Sequence, residues 1–217
     1  MCKTNMSDMT SLIAGIVASD GHIDKEDKGG IRIISKSEEF IKQVVVPSLE
    51  NLTKKKPTIH IGKSGYKGTK KFIVYIYDTK LRKLLTEKYK IPPGKKSIKI
   101  EPPDALSNEE EVDYLRGWFT GEGSPTKEVH HKNGKIYTQP KIELWVKNEK
   151  ITKWIGKILS KLNISSSVYY DKKKEQYLTV IRKIESLKLF KEKIGFAHPE
   201  KERKFKNLLR YPRIRTS

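Results

Sequence analysis

The sequence predicts an α+β fold built from two pseudo-symmetric halves, each ordered αββαββα. Three observations carry that prediction. Ile13-Ala-Gly-Ile-Val-Ala-Ser-Asp-Gly21 and Leu115-Arg-Gly-Trp-Phe-Thr-Gly-Glu-Gly123 share one pattern of apolar residues, small residues four apart, an acid and a glycine. The strands and helices readable after each copy follow the same order. A stretch rich in Pro, Gly and Lys, Ile91-Pro-Pro-Gly-Lys-Lys through Pro102-Pro103, separates them. The chain therefore divides into an N-terminal half (1–90), a linker (91–107) and a C-terminal half with a basic terminal helix (108–217).

In each copy the small residues, Gly15 with Ser19 and Gly117 with Gly121, leave one flank of a helix bare. Two such helices can pack backbone to backbone. After the first copy, Ile31 to Lys36 reads as a strand, and Ser37 caps a helix carrying Ile41, Val44, Val45, Leu49 and Leu52. A hairpin (Thr58 to Lys63, Lys71 to Tyr77) and a helix with Leu81, Leu84 and Leu85 close the half. Ser107 with Glu110 forms a capping box that opens the second motif helix. Ile142 to Lys147 is then a strand, and Asn148 caps a helix carrying Ile151, Trp154, Ile155, Ile158, Leu159 and Leu162. Strands at Ile164 to Asp171 and Gln176 to Ile181 follow, and a helix with Ile184, Leu187 and Phe190 completes the repeat. Pro199 suits the first turn of one more helix.

Composition limits the partners. The 217 residues are 35% hydrophobic, enough to bury a core, and the formal net charge of +20 points to a polyanion, nucleic acid ahead of a membrane surface. No apolar run approaches the ~20 residues of a membrane span, and no signal peptide precedes the first helix, so a soluble cytoplasmic protein is expected. Cys2 is the single cysteine, which excludes an intramolecular disulfide and a cysteine-built zinc site. His130-His131 lies beside the turn signal Lys132-Asn133-Gly134 and reads as a hairpin end. Abundant Lys, Glu and Ile with only three Gln suit a thermophilic source.

Asp20 and Glu122 end their helices, where the macrodipole disfavours a carboxylate. Packed side by side, the two acids also repel each other, and a divalent cation would resolve the conflict because hard cations take carboxylate oxygens. Strand alternation locates a second functional surface. Between Lys135 and Lys147 the odd positions Lys135, Tyr137, Gln139, Lys141, Glu143 and Trp145 form a polar face opposite Ile136, Ile142, Leu144 and Val146. Arg32 faces the same way in the first half, and Tyr75 and Tyr77 join the candidate DNA contacts there. Such a ribbon fits the major groove, where Arg, Lys and Gln read base edges.

The two motif copies resemble the LAGLIDADG homing endonucleases in their monomeric, two-motif, archaeal-like form. The third, seventh, eighth and ninth places match as Gly, Ser, Asp, Gly and Gly, Gly, Glu, Gly, whereas the sixth, acidic in the family's name, is Ala18 and Thr120. The resemblance implies a saddle of antiparallel sheets around a central helix pair, straddling double-stranded DNA. It implies Mg2+ at Asp20 and Glu122, Mn2+ substituting and Ca2+ binding without cleavage, with the carbonyls of Ser19 and Gly121 completing the shells. It further implies hydrolysis at a long asymmetric site, leaving short 3′ overhangs, by a monomer encoded in a mobile intron. Lys36 and Lys147, at matching strand ends, are then candidates to orient water or neutralise phosphate. Ser35 stands where many relatives have Gln, and Lys127 and Arg182 are further candidates. The stretch from Ile194 through Pro199 to Phe205 resembles the close of the family's domains, its basic residues assigned to backbone contacts or solvent. The alternative within the family is an RNA maturase that binds its host intron RNA and assists its splicing, or a chain with both activities. A basic structural protein of the ribosomal kind is the alternative outside it, and that reading predicts neither paired acids nor metal dependence.

Overall fold

The computed structural model describes residues 6–26, 29–64, 68–132, 135–210 and 215–216, and its element order repeats. The first half comprises α1 (Met6–Ser19), β1 (Gly21–Ile23), β2 (Ile31–Ser35), α2, β3 (Thr58–Ser64), β4 (Thr69–Ile76) and α3 (Thr79–Glu87). Helix α2 runs continuously through Glu38–Phe40, Ile41–Val45 and Val46–Thr53, its middle piece wound as a π-helix. The second half comprises α4 (Asn108–Gly121), β5 (Gly123–Lys132), β6 (Lys135–Val146), α5 (Glu149–Lys161), β7 (Ser167–Asp171), β8 (Gln176–Ile181) and α6 (Ile184–Lys193). Helix α7 (Pro199–Arg210) and the short β9 (Arg215–Thr216) follow.

The sheets are antiparallel and identically ordered, β1-β2-β4-β3 and β5-β6-β8-β7, with β9 added on β6. Registers match as well: Gly21 faces Ile33 as Gly123 faces Leu144, which makes Arg32 the counterpart of Glu143 and Lys36 that of Lys147. The lengths do not match. Strands β5 and β6 span 10 and 12 residues against 3 and 5 for β1 and β2.

One apolar face of each sheet packs against helices over its inner strands, while Ile59 and Ile61 on the edge strand β3 stay exposed on that face. Ile31, Ile33, Val74 and Ile76 of the first sheet and Ile142, Leu144, Val146 and Ile181 of the second are buried in one core that includes Ile13, Ile16, Leu115 and Phe119 from the motif helices. Each fully buried side chain of this size contributes roughly 1.5–3 kcal/mol. The capping box at Ser107 and Glu110 is formed, its hydroxyl accepting from Glu110 N at 3.2 Å. Two details differ from the sequence reading. Residues 91–107 pack rather than span, because Ile91 and Ile100 are buried and Gly94 N donates to Ile23 O at 2.8 Å. Strand β7 begins at Ser167, and Ile164 instead turns into the core.

Candidate active site at the paired helix ends

Helices α1 and α4 lie in direct backbone contact. A Cβ placed on Gly15 would strike the Tyr114 carbonyl and sit 2.8 Å from Gly117 Cα, and one on Gly117 would sit 2.6 Å from Gly15 Cα. Four residues on, a Cβ at Gly121 would collide with Ser19 Oγ and come within 3.1 Å of Asp20 Oδ2. Ser19 satisfies its own hydroxyl by donating to Gly15 O at 2.9 Å, so it fills the seam without an unmet polar group. The small residues thus set the approach of the two halves, and with it the approach of the acids.

Asp20 N donates to Ile16 O at 2.9 Å and Glu122 N to Trp118 O at 3.0 Å. Each acid therefore belongs to the last turn of its helix, and both side chains leave from adjoining C-terminal ends. Each reaches solvent on one side while protein surrounds it on the other. Burial raises both carboxyls above their ordinary range, and the charge of Asp20 raises Glu122 further. The expected repulsion is present.

Two lysines oppose it. Lys96 Nζ donates to the carbonyls of Val17 and Gly21 at the end of α1. Lys201 Nζ, from the first turn of α7, donates to Gly121 O and, at 2.8 Å, to Thr120 O at the end of α4. Each ammonium thus sits on orphan carbonyls at a negative helix terminus. Burial pulls Lys96 down to about 8 and lowers Lys201, while the charges of Asp20 and Glu122 act in the opposite direction on both. The sequence reading missed these residues and assigned the basic C-terminal stretch to surface roles. The available signal was positional: each lysine follows shortly after the third helix of a half. Thr120, which departs from the motif, accepts from Ala197 N at 2.9 Å and so helps hold the approach to α7.

Lys147 lines a cavity beside Glu122 together with Lys96, Ser19, Trp118 and Trp145. Lys36 is exposed one residue beyond β2, and Ser35 Oγ accepts from Ser37 N at 3.1 Å. Lys127 lies within β5, opposite Pro140.

The uncovered sheet faces hold the groove candidates. Arg32 is opposite Tyr75, its guanidinium carbon 5.8 Å from the ring centroid, and it pairs with Asp24 at 3.2 Å. Tyr77 is exposed just past the end of β4. On the second sheet Tyr137, Gln139, Lys141 and Trp145 share a face; the side chain of Lys135 lies outside the described residues. That face also carries acids. Glu128 meets Arg182 at 3.1 Å and Lys141 at 3.9 Å, Lys141 meets Glu143 at 2.7 Å, and Lys174 lies 4.0 Å over the Trp145 ring. Gln139 Nε2 donates to Arg182 O at 3.2 Å.

Among the described residues, His, Cys, Asp and Glu nowhere gather in groups of three or more. The donor set at the helix ends is two carboxylates with neighbouring carbonyl oxygens. All-oxygen donors fit a hard cation whose remaining positions go to water and phosphate, and they do not fit zinc. The carbonyl of Gly121, expected as a ligand, accepts from Lys201.

Two like halves joined through paired helices, with an acid from each converging at the ends of those helices, define a pseudo-dimeric α+β protein. The family profile described as a LAGLIDADG-like domain matches residues 7–88 and again 109–195. The chain belongs to the LAGLIDADG-like domain family and carries two copies of the domain. Among solved structures it is similar to variants of the homing endonuclease I-DmoI, with TM-score 0.60, 18% identity, and coverage of 88% of this chain and 92% of that one. The complex of I-DmoI with DNA and Ca gives TM-score 0.59 and 16% identity, covering 88% and 91%. Full-length DUF199/WhiA from Thermatoga maritima gives TM-score 0.61 and 16% identity, covering 95% of this chain and 62% of that one. Comparison with curated protein sequences gave no match. Among the described residues, no helix is long and apolar enough to cross a membrane.

Proposed function

We infer that the chain is a monomeric, site-specific DNA endonuclease that hydrolyses both strands of a long asymmetric target and leaves 3′ overhangs. The observation that carries this reading is the convergence of Asp20 and Glu122 at the joined ends of α1 and α4, between two sheets that each keep a polar face uncovered. The net charge of +20 supplies the attraction for duplex DNA. Structures of I-DmoI with DNA and Ca or Mn support divalent cations as the cofactor class.

The acids and their lysines divide the work. Asp20 and Glu122 would hold Mg2+, with Mn2+ able to replace it and Ca2+ supporting binding alone. A divalent cation bound there lowers the pKa of a water and offsets charge gathering on the phosphate. Lys96 and Lys201 flank the scissile phosphates as fixed positive charge, stabilising the oxygens that become more negative as water adds to phosphorus. The bond from phosphorus to the 3′ oxygen then breaks, the oxygen takes a proton, and the phosphate stays on the 5′ end. Lys147, in the cavity beside Glu122, is placed to hold an ordered water, and Lys36 to contact backbone phosphate.

Digestion of a DNA library carrying candidate intron-insertion sites, with Mg2+ and with chelator, tests the reading. Cleavage of both strands at one site is expected, and Asp20→Asn or Glu122→Gln should lower it by at least about a thousand-fold while sparing DNA binding. Full cutting by either variant sinks the assignment. Tight binding of an intron transcript without DNA cleavage would move the chain to the maturase reading.

A further inference from the structure

Each lysine at the helix ends is held by the half to which it does not belong. The segment bearing Lys96 leaves the first half, where Gly94 N is bonded to Ile23 O. It closes a turn in which Lys99 N and Ile100 N both donate to Lys96 O at 2.9 Å. That turn is gripped from the second half: Asn148 Nδ2 donates to Ile98 O at 2.6 Å and to Ile100 O at 2.8 Å. The amide orientation is fixed by its partners, because Asn148 Oδ1 accepts from Ile151 N at 3.0 Å as the N-cap of α5.

The other lysine repeats the scheme in reverse. Lys201 caps α4 of the second half, and the turn that carries it docks on the first half. Ser37, the N-cap of α2, accepts from Phe40 N at 3.3 Å and donates to Glu200 Oε1 at 2.5 Å. Beside it Arg203 grips Glu39 with two contacts of 2.7 Å, and His198 stacks on Phe40 at 4.6 Å. Ser37 and Asn148 occupy equivalent places, each two residues past a strand end and directly after a candidate site lysine, Lys36 or Lys147. They are 6% and 7% exposed, so water competes poorly for their bonds.

We propose that Ser37 and Asn148 are positioning residues that couple the halves crosswise: Asn148 of the second half fixes Lys96 on the carbonyls that end the first motif helix, and Ser37 of the first half fixes Lys201 on those that end the second. The inference rests on the endonuclease reading and deepens it. A helix cap alone needs only an acceptor; here each cap uses its donor on the segment that carries a lysine. Engagement of one sheet by DNA, felt at the end of β2 or β6, then bears on the charge that serves the opposite scissile bond. Because the two lysines cap different helix ends, damage to one anchor should weigh on one cut more than on the other.

The test measures nicking of each strand separately, with the two 5′ ends labelled differently, at saturating protein. Asn148→Asp keeps the cap acceptor but turns an acceptor toward Ile98 O and Ile100 O, and Ser37→Asp does the same toward Glu200. Each should slow one strand, and a different one, by on the order of ten- to a hundred-fold, with DNA affinity unchanged. Lys96→Met should slow the same strand as Asn148→Asp, and Lys201→Met the same strand as Ser37→Asp. Ser37→Thr, which keeps donor and acceptor, should restore the rate. If either aspartate variant does not fold, Asn148→Ser and Glu200→Ala remove the same donations while leaving both caps in place, and smaller, still strand-selective losses are expected. Equal slowing of both strands, no slowing, or a mismatch between anchor and lysine overturns the proposal. A wild-type protein that nicks neither strand overturns the endonuclease reading itself.

Discussion

Gly117→Ala tests whether backbone contact between the motif helices holds the halves together. The added Cβ would meet Gly15 Cα at 2.6 Å and Ile16 N at 2.7 Å, and both are backbone atoms that cannot rotate away. Ordinary contact needs helices α1 and α4 to part by about an ångström, and gaps of that size forfeit a quarter to half of each dispersion contact along the seam. Overpacking of this kind costs about 1–3 kcal/mol or more, against a gain of about 1 kcal/mol in helix propensity. A net loss of up to about 2 kcal/mol is expected where the contact is backbone on both sides, which for a chain of this size lowers Tm by about 6 °C. Gly156→Ala is the matched control. It makes the same chemical change within α5, but the new Cβ meets nothing within 4 Å, so propensity alone should raise stability by about 1 kcal/mol. Urea unfolding of both variants beside wild type is the assay, read as midpoint shifts at constant slope. Equal shifts of one sign, or a stabilised Gly117→Ala, would refute the reasoning.

Lys96 gives a pH prediction with a definite sign. Its pKa falls from 10.5 to about 8 on folding, so between those values the unfolded chain binds the extra proton and stability rises with pH, by up to about 3 kcal/mol. Denaturation at pH 8 and pH 10 should show that rise in wild type relative to Lys96→Met; parallel profiles would contradict it. On the groove face, burial pushes Glu128 up but the pairs with Arg182 and Lys141 outweigh it and hold the carboxyl below its usual range. Glu128→Gln should release Arg182 to phosphate while Lys141 stays paired with Glu143, tightening non-specific DNA binding and steepening its log–log salt slope by about one. Titrations at four salt concentrations decide it, and an unchanged slope would show that Arg182 does not reach the backbone. Asp20→Asn should lower Glu122 toward its ordinary pKa by removing the neighbouring charge, observable as an acid-side change in the carboxyl titration followed by NMR; an unmoved Glu122 would mean the acids do not converge.

The paired helices were legible because their signal is local. Gly15, Ser19, Gly117 and Gly121 sit at helical spacing, and a bare helix flank has few uses other than close packing. The second sheet was legible from alternation between Lys135 and Lys147, broken on the apolar side only by Thr138 and Pro140. Lys96 and Lys201 were not, because the bonds that define them join residues some 75 to 81 positions apart in a chain with 46 Lys and Arg. No spacing rule separates them from solvated neighbours. The π turn at Ile41–Val45 was equally hidden, since its apolar residues fit an ordinary helix and only the packing of α2 shows the extra residue. The sequence read Asn148 and Ser37 correctly as caps, but a cap's second bond depends on what the tertiary fold brings to it.

The twelve residues of β6 can also be considered as a ruler. An antiparallel strand advances about 3.4 Å per residue, nearly the spacing of successive nucleotides along one DNA strand, yet only every second side chain faces the groove. Lying along a groove, such a strand presents one reader for roughly each two base pairs. Its intervals must be filled from β5 or β8, or remain unread. Under the proposed DNA-cleaving reading, a surface of this pitch would leave alternate base pairs uncontacted and would tolerate scattered substitutions in its target.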